Sequence, residues 1–310
     1  MGSICEQIKK EVMKKITTQK HLDVFEIIDE EILKIREEVI NDLELTNCLK
    51  NIDPHYILDT CDNPNPILFK TYPCDRTHEI YSNSLFSKVP FTPNEIEKIR
   101  KIKPAIFGVG ATGGYTALYF ARVGCEEIAL VDYDTFEPSN IGRQPFCYIS
   151  TLGKKKVEVT KNFLEDINPS IRVDIYDEKI TYHALEKLNN YKYFHDAVDN
   201  VKIRSLIHKF GRKKGKICFS TGIEGFEGRY TCFFPTDPPW DYVWGESVIH
   251  RERGVYSLLP SLLAYLRVSD NLKLALNRGE IIRYPYFASI NLFRKNPIVI
   301  RKFKKITNTF

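Results

Sequence analysis

"IFGVGATGGYTALYFARVGCEEIALVDYDTFEPSNIGRQPF", residues 106–146, is the stretch that decides the fold. An apolar run ending at Phe107 leads into Gly108, Gly110 and Gly113, spaced GxGxxG, and then into a helix-forming segment. Glycines at this spacing let the backbone approach phosphates, and the helix that follows offers them its unpaired N–H groups. A second apolar run, "EIALVDYD" (127–134), carries Asp132 nineteen residues beyond Gly113. An acid at the end of the second strand is placed to accept hydrogen bonds from both ribose hydroxyls of an adenosine. The last third of the stretch, "SNIGRQ" (139–144), is not what hydride transfer needs. Arg143 supplies a planar, permanent cation suited to polyphosphate oxygens, which argues against a nicotinamide dehydrogenase.

Outward from this stretch the pattern alternates. "PAIFGV" reads as a strand, 113–123 as a helix, 127–134 as a strand and 153–167 as a helix. "RVDIYD" (172–177), a helix at 182–190, "YFHDAVD" (193–199), a helix at 200–213 and "KICFST" (216–221) continue it. Such alternation predicts an α/β fold, Rossmann-like, with a mostly parallel sheet and helices on both faces. After residue 220 come a strand in "GRYTCFFP", an irregular Trp/Pro loop at 235–253, a long helix at 255–277 and closing strands near 285–301. Upstream, residues 1–90 read as a small, largely helical N-terminal module ahead of a nucleotide-binding domain over 91–310. Ile28, Ile32, Ile35 and Val39 share one helical face, and 51–76 is turn-rich around one short strand near Ile67–Lys70. "TPNE" (92–95) opens a helix, with Thr92 as cap and Pro93 at the first position.

Composition narrows the classes. In a chain of 310 residues, 43% hydrophobic content supplies a sizeable core, and a net charge of +5 suits an acidic ligand without arguing for nucleic acid. The basic clusters 211–216 and 301–305 read as solvated charges. Eight cysteines form no CxxC pair, so no zinc site is expected. The longest apolar run, 254–266, contains Pro260 and is too short to span a bilayer, and no secretory signal opens the chain. A cytoplasmic protein without a membrane partner is expected.

Three further groups bear on chemistry. Asn140 and Gln144 can bond to phosphate or to an incoming nucleophile, and Lys156, thirteen residues beyond Arg143, adds a second cation. Lys154 and Lys155 read as solvated. Asp199, in "DAVDN", falls on the ligand edge of a parallel sheet, where it could hold Mg²⁺ against phosphates or simply cap the next helix with Asn200.

Together, "ALVDYD" (129–134), "SNIGRQ" (139–144), "GKKK" (153–156) and "DAVDNVKIR" (196–204) resemble the ThiF/MoeB/HesA family of adenylating enzymes, relatives of ubiquitin-activating enzymes. "STGIEGFEGRYTCFFP" (220–235) is similar to the family strand that follows, so the resemblance covers about 104–280. It implies ATP and Mg²⁺ as cofactors. Gly108, Gly110, Gly113, Asp132, Asp134, Asn140 and Gln144 would bind nucleotide, and Arg143, Lys156 and Asp199 would act in catalysis, Asp199 through magnesium. The implied reaction is attack of a carboxylate on the α-phosphate, and no side-chain base is needed because a carboxylate is already ionised.

The chain also departs from the family pattern. Two CxxC pairs common in relatives are missing, and "EIYSNSLF" (79–86) has Asn83 where an upstream Arg is usual, leaving Arg76 as a candidate substitute. The loop at 236–253 contains no cysteine, so activation without capture on a thiol is expected, with Cys147 and Cys232 as buried small residues. Trp240 and Trp244 could form a lid or belong to the core. The long segment ahead of the sheet is similar in scale to peptide-modifying members of the microcin and pantocin type. The leading expectation is therefore adenylation of a carboxylate on a ribosomally made precursor peptide. Activation of a sulfur-carrier or ubiquitin-like C-terminus is the alternative within the class, and a non-catalytic nucleotide-binding scaffold the alternative outside it. A homodimer is expected, because the 255–277 helix is apolar on more than one side.

Overall fold

The computed structural model describes residues 88–244 and 254–303, all within the compact unit Tyr81–Phe310. The helical face at 28–39, the strand near 67–70, Arg76, Asn83 and the four cysteines before residue 80 lie outside the described residues.

The first element, α1 (Pro93–Arg100), begins as its sequence predicts. Thr92 Oγ1 accepts from the Glu95 N–H and Glu95 reaches back to Thr92, a reciprocal cap worth about 1 kcal/mol. Strand β1 (Pro104–Phe107), helix α2 (Ala111–Arg122) and strand β2 (Glu127–Val131) form the first βαβ unit. Helix α3 (Lys156–Ile167) leads to β3 (Arg172–Tyr176), and the short α4 (Tyr182–Glu186) leads to β4 (Tyr193–Asp196). Helix α5 (Val201–Lys213) precedes the hairpin of β5 (Ile217–Glu224) and β6 (Glu227–Phe233). A five-residue helix, α6 (Trp240–Trp244), the long α7 (Leu259–Leu276), β7 (Tyr286–Ile290) and β8 (Ile298–Lys302) complete the described chain.

All eight strands join one sheet in the order β3-β2-β1-β4-β5-β6-β7-β8. The first five pair in parallel, and β6, β7 and β8 extend the sheet antiparallel. Each β1 residue is buried, as parallel strands covered on both faces require. Alternation divides them: Ile106, Ile128 and Leu130 pack into one core with Phe120, Val157 and Leu263. Ala105, Phe107, Ala129 and Val131 pack into the other with Leu185, Ile207 and Phe210. Helices therefore cover both faces, α2, α3 and α7 on one and α4 and α5 on the other.

From β1 the chain steps outward to β2 and β3, then returns to place β4 on the other side of β1. This reversal opens a crevice beyond the C-terminal ends of β1 and β4, where ligands of such sheets bind.

Several boundaries differ from expectation, each for a local reason. Helix α2 starts at Ala111 rather than 113, so Gly113 lies within its first turn. Helix α3 starts at Lys156 rather than 153, because Gly153 turns the chain at φ +77° and Lys155 stays extended. The strand expected to run to Asp199 ends at Asp196, leaving 197–200 as a loop. The two-sided apolarity of the 255–277 segment is met inside the unit, since α7 packs against α1 and α2 on one side and β5 and β6 on another. That observation does not by itself call for a second copy.

Candidate nucleotide site

The glycine loop is built by close approach. Gly108 adopts φ +83°, which a side chain disfavours, and donates its N–H to the Val131 carbonyl at 2.9 Å. A Cβ at Gly113 would lie 1.8 Å from the Gly108 carbonyl oxygen, so only glycine lets α2 sit this near the strand. Gly110 caps α2 without any side-chain hydrogen bond, leaving the first N–H groups of the helix open to an anion.

Asp132 closes the loop from the neighbouring strand. Its Oδ2 accepts from the Val109 N–H at 2.6 Å and its Oδ1 from the Asp134 N–H at 2.9 Å. Each carboxylate oxygen keeps a further lone pair, so the group can hold the loop and still accept two hydroxyl donors. Asp134 in turn meets Lys156: the two share an Nζ–Oδ2 contact of 3.2 Å, and the Lys156 N–H donates to the Asp134 carbonyl at 3.1 Å. Lys156 is 7% exposed, whereas the Asp134 side chain is half exposed. Lys155 is not a free surface charge as expected, because it pairs with Asp177 at 2.9 Å and donates to the Tyr133 carbonyl.

The "SNIGRQ" segment folds as a 3₁₀ turn (Pro138–Asn140) over this loop. Asn140 is buried and its amide closes the turn, accepting from the Glu137 N–H and donating to Ser139 Oγ, both at 3.2 Å. Its part is to shape the segment. Arg143, partly exposed, donates to the Ser139 carbonyl. Gln144 is buried with its amide nitrogen 3.5 Å from the position a Gly110 Cβ would take, and its Oε1 has no hydrogen-bond partner. A buried acceptor left open beside such a loop is free to take a hydrogen bond from a donor such as a hydroxyl.

Across the crevice, the 197–200 loop locks onto the glycine loop. A Cβ on Gly108 would lie 2.8 Å from the Ala197 carbonyl oxygen, and the Ala197 N–H donates to the Phe107 carbonyl at 2.9 Å. Asn200 caps α5 through Lys202 and Ile203 N–H groups. Asp199 is exposed with no polar partner among the described residues. The geometry thus settles the cap: Asn200 provides it, and Asp199 takes no part in it.

Just beneath lie residues to which the sequence assigned no role, although Asp196 and Arg204 are the two ends of the "DAVDNVKIR" motif. Asp196, fully buried, meets Arg204 Nε at 2.9 Å, His208 Nε2 at 3.2 Å and Ser220 Oγ at 3.2 Å. Burial pushes its carboxyl up, but Arg204, His208 and Arg267 outweigh this and hold it below its ordinary value. Trp240, 4% exposed, donates its indole N–H to the same Ser220 hydroxyl at 2.9 Å, so it belongs to the core rather than to a lid. From α7, the fully buried Arg267 donates to the Asp196 carbonyl and to Thr221 Oγ1; burial lowers its pKa to about 10. Two signals were legible: the "DAVDNVKIR" motif, bounded by Asp196 and Arg204, and the spacing of Arg204 and His208, four apart on one helix face.

The described cysteines, Cys125, Cys147, Cys218 and Cys232, are buried and unpaired. Burial raises each thiol, Cys125 to about 12, so none is a ready thiolate. Among the described residues no three His, Cys, Asp or Glu side chains gather as a metal-binding cluster. No helix there is long and apolar enough to cross a membrane.

The residues present fit a magnesium–nucleotide: uncapped helix N–H groups, the open lone pairs of Asp132 and Gln144, and the open carboxylate of Asp199. Comparison with known proteins bears on the nucleotide. A sulfur carrier protein adenylyltransferase from Thermus thermophilus is 28% identical over 205 residues, 61% of this chain and 74% of that protein. The adenylyltransferase and sulfurtransferase MOCS3 of Arabidopsis thaliana is 31% identical over 189 residues, 56% of this chain but 39% of its own length. Against relatives of the latter kind, this chain spans less than half of their length. Among solved structures, E. coli MccB with ATP superposes with a TM-score of 0.58 at 20% identity, covering 67% of this chain and 65% of MccB. PaaA superposes with a TM-score of 0.59 at 18% identity, covering 87% of this chain and 89% of its own. At these identities the structural likeness speaks for the fold. Fold, loop and relatives together define a protein of the ATP-dependent adenylating class. The ThiF family pattern matches residues 81–309, and the chain belongs to the ThiF family.

Proposed function

We propose that the protein adenylates a carboxylate on a ribosomally made precursor peptide, using ATP and Mg²⁺. The observation that carries adenylation is the linked set Val109–Asp132–Asp134–Lys156 beside an uncapped helix, with Arg143 and Gln144 over it. Asp132 orients the ribose, the α2 N–H groups and the Gln144 Nε2–H group hold phosphate, and Asp199 faces the cation. Magnesium, when bound, would neutralise phosphate oxygens as hard oxygen-bound cations do. A substrate carboxylate oxygen then bonds to the α-phosphorus as the bond to the β-phosphate oxygen breaks. The electron pair leaves with pyrophosphate. Arg143 and Lys156 neutralise the charge that develops there, a stabilisation worth roughly 10²–10³ in rate for one well-placed donor.

Two observations favour a peptide substrate. Structures of E. coli MccB with MccA are among the fold neighbours, and 103 residues precede β1 in this sequence. The 236–253 loop contains no cysteine, so the activated carboxylate passes on without capture there. A second reading, activation of a sulfur-carrier C-terminus, is favoured by the names of the Thermus and Arabidopsis relatives. The two are separated by pyrophosphate release and intact mass, with short synthetic peptides in one arm and a carrier ending in Gly-Gly in the other. Turnover with the carrier alone would transfer the assignment to the second reading. ATP binding without turnover in either arm, across peptide libraries, would leave a non-catalytic scaffold.

A further inference from the structure

We propose that Arg204 is a positioning residue for the cation-facing carboxylate of Asp199, an inference that rests on the magnesium–ATP reading above. Within 196–200, four residues are fastened. The Asp196 side chain is held by Arg204, His208 and Ser220, and its carbonyl by Arg267. The Ala197 N–H is tied to the Phe107 carbonyl and the Ala197 carbonyl lies against Gly108. The Val198 N–H donates to Asp196 Oδ1 at 3.4 Å, and its carbonyl accepts from Arg204 Nη2. The Asn200 side chain caps α5. Asp199 is the member of the five left outward.

Arg204 is what joins these fastenings. Its Nε meets the buried Asp196 carboxylate while Nη2 of the same fork meets the Val198 carbonyl, one residue before Asp199. It rises from the first turn of α5, where its own N–H donates to the Asn200 carbonyl at 2.9 Å. One planar group therefore sets the strand end, the loop and the helix start relative to each other. A lysine retains the charge beside Asp196 but has no second arm at a fixed angle, so it cannot serve both acceptors in this geometry. Asp196 is also held by His208 and by Ser220, itself bonded by the Trp240 indole, so its carboxylate keeps partners when the Val198 contact is lost.

The test is calorimetric titration of full-length protein with ATP, with magnesium and with chelator, in wild type, Arg204→Lys and Arg204→Met. Both variants should weaken magnesium–ATP binding by about tenfold or more while ATP without metal binds as in wild type. Amide exchange at 198–200 should quicken in Arg204→Lys without a matching rise elsewhere in α5. In an Asp199→Asn background the Arg204→Lys change should alter affinity by less than about twofold, because interacting residues are non-additive. Arg204→Lys decides the matter if Arg204→Met does not fold, and amide exchange decides it if Asp199→Asn binds too weakly to titrate. Equal loss of affinity with and without metal, or full loss retained in the Asp199→Asn background, would mean a merely structural role. No magnesium-dependent ATP binding in wild type would overturn the nucleotide reading itself.

Discussion

Replacing Gly113 by alanine tests the site at its tightest point. The new methyl carbon would sit 1.8 Å from the Gly108 carbonyl oxygen, 2.9 Å from its carbon and 3.2 Å from Ala197 Cβ. Ordinary contact requires about 3.4 Å or more, so α2 must withdraw from the loop by about 1.6 Å. Neither neighbour can yield cheaply. The Gly108 N–H is bonded to Val131, and Ala197 is bonded to Phe107. Overpacking of this kind costs about 1–3 kcal/mol and sometimes more. In a domain of 150–250 residues each kcal/mol lowers Tm by about 2–4 °C, so a fall of roughly 2–12 °C is expected. The functional loss should be larger, since the withdrawn helix carries the N–H groups that face phosphate. A misplacement of about 1 Å can cost on the order of 10²-fold. Differential scanning fluorimetry and magnesium–ATP calorimetry measure the two effects. Gly142→Ala is the internal control, because a Cβ there meets nothing within 4 Å although it lies in the "SNIGRQ" segment. It should stay within about 0.5 kcal/mol of wild type. Should Gly113→Ala melt and bind ATP as wild type does, or should Gly142→Ala match its losses, the packing of the glycine loop argued above is wrong.

Other outcomes follow from the same geometry. Asp132→Asn turns one of the two acceptors facing the Val109 and Asp134 N–H groups into a donor, so ATP affinity should drop about 10–100-fold, and discrimination against 2′-deoxy-ATP should shrink with it; unchanged discrimination would remove Asp132 from the ribose. Arg143→Ala and Lys156→Ala should each cut substrate-dependent pyrophosphate release by about 10²–10³, whereas Cys147→Ser should turn over within a few-fold of wild type. A serine variant that forms adenylate yet stalls would reveal thiol capture. Burial lowers His195 well below its ordinary pKa, with Arg267 adding to it. The folded state thus keeps His195 neutral while the unfolded chain takes up a proton below about pH 6.5, so stability should decline as pH falls through that value, by up to about 1.4 kcal/mol per pH unit for this group. Urea melts at pH 7.5, 6.5 and 5.5 should show the decline, and His195→Gln should flatten it.

Features set by short-range chemistry were legible before the fold was known. The apolar runs at 104–107 and 127–131 could only be buried strands, and GxGxxG between strand and helix could only be a turn that brings backbone close to backbone. Thr92 and Pro93 announced a helix start because capping is decided within four residues. Candidate residues from Gly108 to Lys156 were legible because one βαβ unit and its following turn carry them all. Tertiary structure decided what depends on partners far along the chain. Nothing local distinguishes Asp196 from Asp199, three residues apart. Pairing of β4 beside β1 and β5, with α5 on one face and α7 on the other, buries the first among Arg204, His208, Ser220 and Arg267 and leaves the second open. The same holds for Trp240, lid or core by composition and a core residue once Ser220 stands 2.9 Å from its indole nitrogen. The two apolar sides of α7, read as a call for a second subunit, meet α2 and the β5–β6 hairpin of the same chain. Periodicity can report that a side is apolar, but only packing supplies what covers it.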